Sequence, residues 1–252
     1  MGKLGELSYV DADPVRKDEF FVAAAKLIAG STLPEYWTWV DSSETARVAH
    51  YFHCAEHAGD TDGGGESYYL KLFLPRSRWE PLKDALRGSR CERAIRESRY
   101  LRRLGITTPE VIASGRVNGQ DWMVTRGLEA IGLGVYFYAF LKRPQSASRL
   151  HWKRRVIAEL GTFVGKLHRQ GVVHGDLRLN NILIDIHAEE PTFILIDNER
   201  NSHYRSKIPL GLIKKNLVQV NMILSSTITR SDRLRFYLAY QKSFTVLPAR
   251  AS

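Results

Sequence analysis

The chain has 252 residues, 44% of them hydrophobic, so it can bury a core in one large or two small domains and is not a disordered segment. Its net charge of +10 favours a polyanionic partner such as an anionic membrane face, a phosphorylated glycan or nucleic acid. The only two cysteines, Cys54 and Cys91, exclude a disulfide framework, and no apolar run reaches the roughly 20 residues of a membrane span. We therefore expect a protein that is cytoplasmic, or at most peripheral to a membrane.

The first 34 residues predict one short helix and no chemistry that we can name. Residues 36–40 and 46–52 then predict two strands joined by a polar turn that contains Ser42 and Ser43 but no glycine. The later glycine run, Gly63 to Gly65, predicts a flexible hairpin loop. It is not followed by the Gly-Lys-Ser/Thr of a Walker A motif.

A third strand, residues 67–74, places Lys71 between Leu70 and Leu72, so the lysine should point to the opposite face from both neighbours. It is either an exposed edge lysine or a functional one. Residues 90–104 predict a helix in which Glu97 shares the apolar face with its neighbours one turn away. A carboxylate on an inward face needs a cationic partner, and Lys71 is the natural candidate.

The stretch from residue 76 to residue 103 carries ten basic residues against four acidic ones. Such a run is either a solvated helix face or a surface that helps to hold an anionic acceptor or membrane. Gly105 and Pro109 should end the helix. Strands over residues 110–116 and 122–126 should then form a hairpin, because Asn118-Gly119 is a strong turn signal.

The second half of the sequence is richer in helical patterns. An aromatic run over residues 135–140 indicates core packing, and residues 150–170 predict a long amphipathic helix. A last helix, residues 231–241, has Ser231 as its candidate N-cap. Its apolar residues available for packing are Leu234, Phe236, Tyr237 and Leu238.

The most informative stretch is residues 172–184, followed by residues 193–199. Two short apolar runs each deliver a carboxylate, Asp176 and Asp197, to a turn, and Asn181 lies five residues after the first. An aspartate that accepts the proton of an attacking hydroxyl needs a metal-bound phosphate beside it, and Asn181 and Asp197 are oxygen ligands suited to Mg²⁺. The grouping therefore predicts a phosphoryl-transfer site.

Lys71, Glu97, Asp176, Asn181 and Asp197 in this order resemble the protein-kinase-like fold. More narrowly, His-Gly-Asp-Leu at 174–177, Leu-Ile-Asp-Asn-Glu-Arg at 195–200, Gly-Ile-Thr-Thr-Pro at 105–109 and residues 233–240 are similar to the lipopolysaccharide core kinases, the Kdo and heptose kinases. The resemblance implies an α+β, bilobal fold. Residues 1–126 would form an N-terminal lobe with an antiparallel sheet and one helix, and residues 127–252 a mainly helical C-terminal lobe, with residues 126–131 as an adenine-binding hinge.

The resemblance also implies an ATP-dependent kinase that phosphorylates a sugar hydroxyl of the lipopolysaccharide inner core at the cytoplasmic face of the inner membrane. Asp176 would deprotonate the acceptor, Arg178 would offset charge on the transferred group, and Lys71 with Glu97 would position the phosphates. The absence of an Ala-Pro-Glu motif and the short stretch after Glu199 argue against a peptide-binding activation segment.

Two alternatives stay open. One is a related kinase that acts on another small molecule or, like the RIO kinases, on protein. The other is a non-catalytic module that binds an anionic ligand through the arginine-rich helix. We do not expect nucleic acid to be the partner.

Overall fold

A computed structural model of the chain describes residues 8–9, 14–42, 44–53, 66–75, 84, 87–142, 146–185, 187–223 and 227–245. The glycine run at 63–65, Ser43, Cys54 and the first basic residues of the 76–103 stretch lie outside these residues. The chain divides into two compact units: residues 1–98 with 109–128, and residues 99–108 with 129–252. The fold is mixed α+β, as predicted.

The first unit is built on an antiparallel sheet whose strands are β1 (Ser8–Tyr9), β2 (Trp37–Val40), β3 (Ala46–His53), β4 (Glu66–Phe73), β5 (Val111–Val117) and β6 (Gln120–Arg126). The six strands lie in the order β1-β5-β6-β4-β3-β2. Asn118 and Gly119 both have positive φ, 49° and 77°, which is the backbone of the tight hairpin that the sequence predicts between β5 and β6.

Two helices accompany this sheet, and the sequence predicts both of them, whereas the resemblance implied one. Helix α1 (Pro14–Ala29) is longer than expected and buries Phe20 and Leu27 in the core of the unit. Helix α2 (Arg90–Arg103) begins at a capping box, in which the Ser89 N–H donates to Glu92 Oε2 (2.8 Å) and the Glu92 N–H donates to Ser89 Oγ (3.2 Å).

The predicted end of α2 is confirmed. Gly105 adopts φ +71°, and the Ile106 N–H donates to the Leu101 carbonyl oxygen at 2.9 Å, which is the hydrogen bond of a Schellman motif. Leu101 is fully buried at this end of the helix.

The second unit is mainly helical. Its helices are α3 (Leu133–Tyr136), which continues as a π-helical turn (Phe137–Leu141), α4 (Ala147–Arg169), α5 (Leu210–Val220) and α6 (Arg230–Thr245). Helices α4 and α6 pack closely, because Gly161 and Gly165 of α4 face the backbone of α6, and a Cβ atom at Gly161 would lie 3.1 Å from the Ala239 Cβ. The strands are β7 (Ala130–Gly132), β8 (Val172–Val173), β9 (Ile182–Asp185), β10 (Phe193–Leu195) and β11 (Ser202–His203). They form two small antiparallel sheets with the orders β10-β9-β7 and β11-β8.

Two packing expectations are wrong in part. Phe137 is buried, but Val135, Tyr138 and Phe140 of the aromatic run are each more than half exposed. In α6, Phe236 is buried, whereas Leu234, Tyr237 and Leu238 face outward. A helix turns one stripe of side chains inward, so consecutive apolar residues cannot all be buried. None of the helices in the described part of the chain is both long and apolar enough to cross a lipid bilayer.

The N-cap assignment for α6 is also corrected. Thr229, not Ser231, caps the helix: the Asp232 N–H donates to Thr229 Oγ1 and the Thr229 N–H donates to Asp232 Oδ2, both at 3.1 Å. Asp232 in turn forms a buried ion pair with Lys153 of α4 at 3.3 Å.

Candidate active site

The central stretch forms a loop between two short strands of the second unit. Strand β8 pairs with β11 and is followed by a loop that carries Asp176. A single 3₁₀ turn (Leu179–Asn181) then leads into β9. Asn181 Nδ2 donates to the backbone oxygen of Asp176 at 2.8 Å, so the loop closes on itself. Because the amide nitrogen is used in this way, Oδ1 is the atom of Asn181 that could coordinate a cation.

The second carboxylate-bearing segment is attached to this loop through backbone hydrogen bonds. The Ile196 N–H donates to the Asn181 carbonyl oxygen at 3.1 Å, directly before Asp197. Asp197 has φ +60° and ψ +44°, a left-handed conformation that few non-glycine residues adopt and that recurs at functional sites. The turn therefore presents Asp197 in one defined backbone geometry.

His174 joins the two segments and is itself fully buried. Its Nε2–H donates to the Ile196 carbonyl oxygen at 3.1 Å, and its Nδ1 accepts the Asp176 N–H at 3.1 Å. Burial lowers the pKa of His174, which favours the neutral ring that this donor and acceptor pair requires. His174 is thus a core histidine, and it fixes the backbone on both sides of the site.

Gly175 allows the backbone at Arg200, in the segment after Asp197, to approach closely. A Cβ atom at this position would lie 2.6 Å from the carbonyl oxygen of Arg200, so no larger residue fits without a shift of the backbone. This explains in steric terms why the loop reads His-Gly-Asp. The arginine that regulated protein kinases carry at this place has no room here.

The carboxylate of Asp176 is held by two side chains. Arg178 Nε donates to Oδ1 at 2.8 Å, and Gln219 Nε2 of α5 donates to the same oxygen at 3.1 Å. The side chain of Asp176 is 24% exposed and that of Arg178 is 60% exposed. The geometry brings Arg178 to the carboxylate itself, whereas the sequence assigned it to the transferred phosphate.

Sequence reasoning missed α5 as a support for the site. Asn216, fully buried on this helix, accepts the His174 N–H (3.1 Å) and donates to the His174 carbonyl oxygen (2.7 Å). Gln219 Oε1 accepts the Leu177 N–H and an N–H of Asn216, both at 3.2 Å. The signal in the sequence was two amide side chains, three residues apart, within the apolar segment 210–224.

The segment after Asp197 is fixed in place. Asn198 is buried and donates through Nδ2 to Thr108 Oγ1 (3.0 Å) and to the Leu195 carbonyl oxygen (3.2 Å). Asn201 Oδ1 accepts the Gly175 N–H at 3.4 Å. Where protein kinases carry a movable Phe-based switch, this chain has a hydrogen-bonded turn.

The other two predicted site residues lie in the first unit. Lys71 is half-buried on β4 between the buried Leu70 and Leu72, and its Nζ lies 5.2 Å from the centre of the Phe73 ring. Glu97 is 6% exposed on the inward face of α2, as the sequence predicts. In the predicted hinge, Gly127 donates its N–H to the Ser67 carbonyl oxygen at 2.7 Å. The backbone N–H of Gly127 is therefore already hydrogen-bonded within the first unit.

Asn181 and Asp197 together offer a donor set that fits Mg²⁺. Within the described ranges, this is not a site made by protein side chains alone, because no group of three or more His, Cys, Asp or Glu residues could hold a metal ion. Mg²⁺, however, prefers oxygen ligands and is commonly bound by one or two carboxylates together with substrate phosphates and water. A carboxylate from Asp197 and an amide oxygen from Asn181 are ligands of this kind.

The family model for the lipopolysaccharide kinase (Kdo/WaaP) family matches residues 34–240. The chain belongs to this family. It is therefore a phosphotransferase of the kinase type, and a purely non-catalytic module is set aside. Kinases of this family use ATP.

Curated relatives match over shorter stretches. The KEOPS complex subunit Bud32 of Pyrococcus abyssi is 35% identical over 98 residues, which cover 38% of this chain and 40% of that protein. The corresponding EKC/KEOPS subunit of Debaryomyces hansenii is 23% identical over 172 residues, 66% of this chain and 65% of that protein. The chain thus spans less than two thirds of the length of these relatives.

Among solved structures, WaaP in complex with acyl carrier protein is similar with a TM-score of 0.59 at 20% identity, covering 93% of this chain and 89% of that chain. WbdD bound to the kinase inhibitor LY294002 is similar with a TM-score of 0.50 at 15% identity, covering 86% of this chain and 46% of that chain. These likenesses confirm the predicted kinase-like fold.

Proposed function

We propose that this kinase transfers the γ-phosphate of ATP to a sugar hydroxyl of the lipopolysaccharide inner core, on Kdo or heptose. One observation carries the chemistry: a carboxylate at Asp176, oriented by Arg178 and Gln219, lies on a loop hydrogen-bonded to the turn that bears Asp197. Family membership supports the glycolipid acceptor. The acceptor implies work at the cytoplasmic face of the inner membrane.

Each predicted residue then has a role. Asp176 orients the acceptor hydroxyl and takes its proton. Asn181 and Asp197 hold Mg²⁺, which when bound would neutralise charge on the phosphates. Arg178 donates one N–H to Asp176, and a guanidinium has further donors that could meet the transferred group.

Lys71 is proposed to bind the α- and β-phosphates. Its support is the burial of Glu97, because a carboxylate taken out of water needs cationic or hydrogen-bonding partners. The mostly exposed Arg96 lies 3.9 Å from Glu97 Oε1, and Lys71 is our candidate for a further cationic partner. With the lysine so held, the phosphates would meet a positioned charge.

A protein acceptor is the second candidate, favoured by the partial likeness to Bud32 subunits. The short connection between Glu199 and α5 argues against a protein acceptor. Residues 200–209 alone separate Glu199 from α5, too short a connection for a peptide-binding activation segment.

Mass spectrometry of the glycolipid from cells that carry the parental chain or Asp176→Asn tests the proposal. We expect the variant to lack one inner-core phosphate. The matched control is Asp185→Asn, a strand-end aspartate whose Oδ1 accepts the His187 N–H at 2.8 Å, and its glycolipid should keep the phosphate. An unchanged glycolipid in Asp176→Asn cells would reject this acceptor, and loss of phosphate from a protein instead would favour the second candidate.

A further inference from the structure

The segment that follows the Asp197 turn is uniformly basic. No Asp or Glu occurs from residue 200 to residue 231. Six basic residues lie in this segment, and all of them are exposed: Arg200, Arg205, Lys207, Lys214, Lys215 and Arg230.

Helix α5 within this segment has two different faces. Ile213, Asn216 and Val220 are buried on its inward face. On the opposite face, Val218 is 63% exposed and Met222, just past the helix end, is 66% exposed. Lys214 and Lys215 precede Val218 by four and three residues, so they flank it on the helix surface. Leu210, 62% exposed, starts the helix.

We propose that this outward face of α5 is a docking surface for an anionic lipid bilayer. Isolated aliphatic side chains beside lysines are the pattern of a helix that lies in the membrane interface, where the apolar groups enter the acyl boundary and a lysine such as Lys214 reaches the headgroups. A protein interface fits less well, because lysine is depleted from the centres of such interfaces. A nucleic acid would leave Val218 and Met222 in water.

The docking surface has a direct connection to the candidate active site. The inward face of α5 holds the Asp176 loop through Asn216 and Gln219, and Lys215 Nζ donates to the Gly175 carbonyl oxygen at 3.2 Å. A bilayer on the outer face would therefore lie about one helix diameter, roughly 10 Å, from this loop. Such docking would bring a glycolipid acceptor to Asp176, a consequence that rests on the proposed function. The docking itself does not rest on it.

Vesicle co-sedimentation of the full chain tests the surface. The chain should bind vesicles of phosphatidylethanolamine with phosphatidylglycerol, should bind neutral phosphatidylcholine vesicles much more weakly, and should dissociate as salt is raised. Val218→Ser combined with Lys214→Gln should lower the partition coefficient by about tenfold or more.

The matched control makes the same two substitutions elsewhere. Val22→Ser on α1 and Lys166→Gln on α4 change exposed helix positions outside the surface, and vesicle binding should stay at the parental level. The proposal is overturned if the parental chain ignores anionic vesicles, if it binds neutral vesicles equally, or if both variant pairs lose binding alike.

Failure of this proposal and failure of the proposed function are distinguishable. The Asp176→Asn variant should bind anionic vesicles as the parental chain does, because residue 176 lies outside the docking surface. Vesicle binding without kinase activity on a sugar would support the docking surface and contradict the proposed function. Kinase activity without vesicle binding would contradict the docking surface.

Discussion

Gln219 is the residue whose removal tests the geometry of the site most sharply. In Gln219→Ala the carboxylate of Asp176 loses a 3.1 Å hydrogen bond, while the Leu177 N–H loses its side-chain acceptor. A hydrogen bond to a charged group contributes about 1.5–3 kcal/mol. If Gln219 positions the general base, that energy is lost in the transition state, and kcat should fall about ten- to a hundredfold. The KM for ATP should be unchanged, because the loss affects acceptor activation.

The assay is steady-state phosphate transfer from ATP to isolated inner-core oligosaccharide, with the unfolding midpoint measured in parallel. Gln241→Ala is the matched control, because Gln241 donates to Tyr237 Oη at 3.0 Å on an exposed face, and its kcat should be parental. A parental kcat in Gln219→Ala, or a raised KM for ATP with kcat intact, would refute the positioning role.

Three further predictions concern stability. Gly175→Ala should lower the free energy of unfolding by about 1–3 kcal/mol in a urea titration, because its Cβ would lie 2.6 Å from the Arg200 carbonyl oxygen. Lys153→Met should cost about 3 kcal/mol by the same measurement, since Asp232 loses its buried ion-pair partner and keeps only the partly exposed Arg235 at 3.1 Å. Burial lowers the pKa of His168 below its usual 6.5, so below about pH 6.5 the unfolded state binds a proton that the native state resists. The free energy of unfolding should therefore fall with falling pH, and His168→Gln should reduce that slope.

Each of these changes has a control in the chain. Among the residues that the structure describes, apart from its chain neighbours and its own helix backbone, none has an atom within 4 Å of the position that a Cβ at Gly211 would take, so Gly211 should accept alanine without loss of stability. Lys166→Met and His151→Gln alter exposed positions and should leave the free energy of unfolding and its pH slope unchanged. Equal effects in a variant and its control would contradict the structural reason given for that variant.

Much of the local structure followed from short-range patterns. The Asn118-Gly119 hairpin, the end of α2 at Gly105 and the burial of Glu97 depend on backbone preference and helical spacing, which a sequence displays directly. The two apolar strands that flank the Asp176 loop were predictable for the same reason.

What the sequence did not predict depends on contacts between distant residues. Asn216 meets His174 across 42 positions, and no local pattern indicates which buried amide supports which loop. The outward direction of Leu234 and Leu238 likewise depends on which stripe of α6 packs against α4. At the start of α6, Thr229 and Ser231 were both available as caps, and only the reciprocal bond with Asp232 decides between them.

Transfer of labelled γ-phosphate from ATP to inner-core oligosaccharide by Asp197→Ala tests the central claim most directly. We predict Mg²⁺-dependent transfer by the parental chain, nearly complete loss in Asp197→Ala with the fold intact, and parental transfer by the control Asp185→Ala. Transfer by Asp197→Ala at the parental rate would contradict the assignment of this carboxylate to the metal.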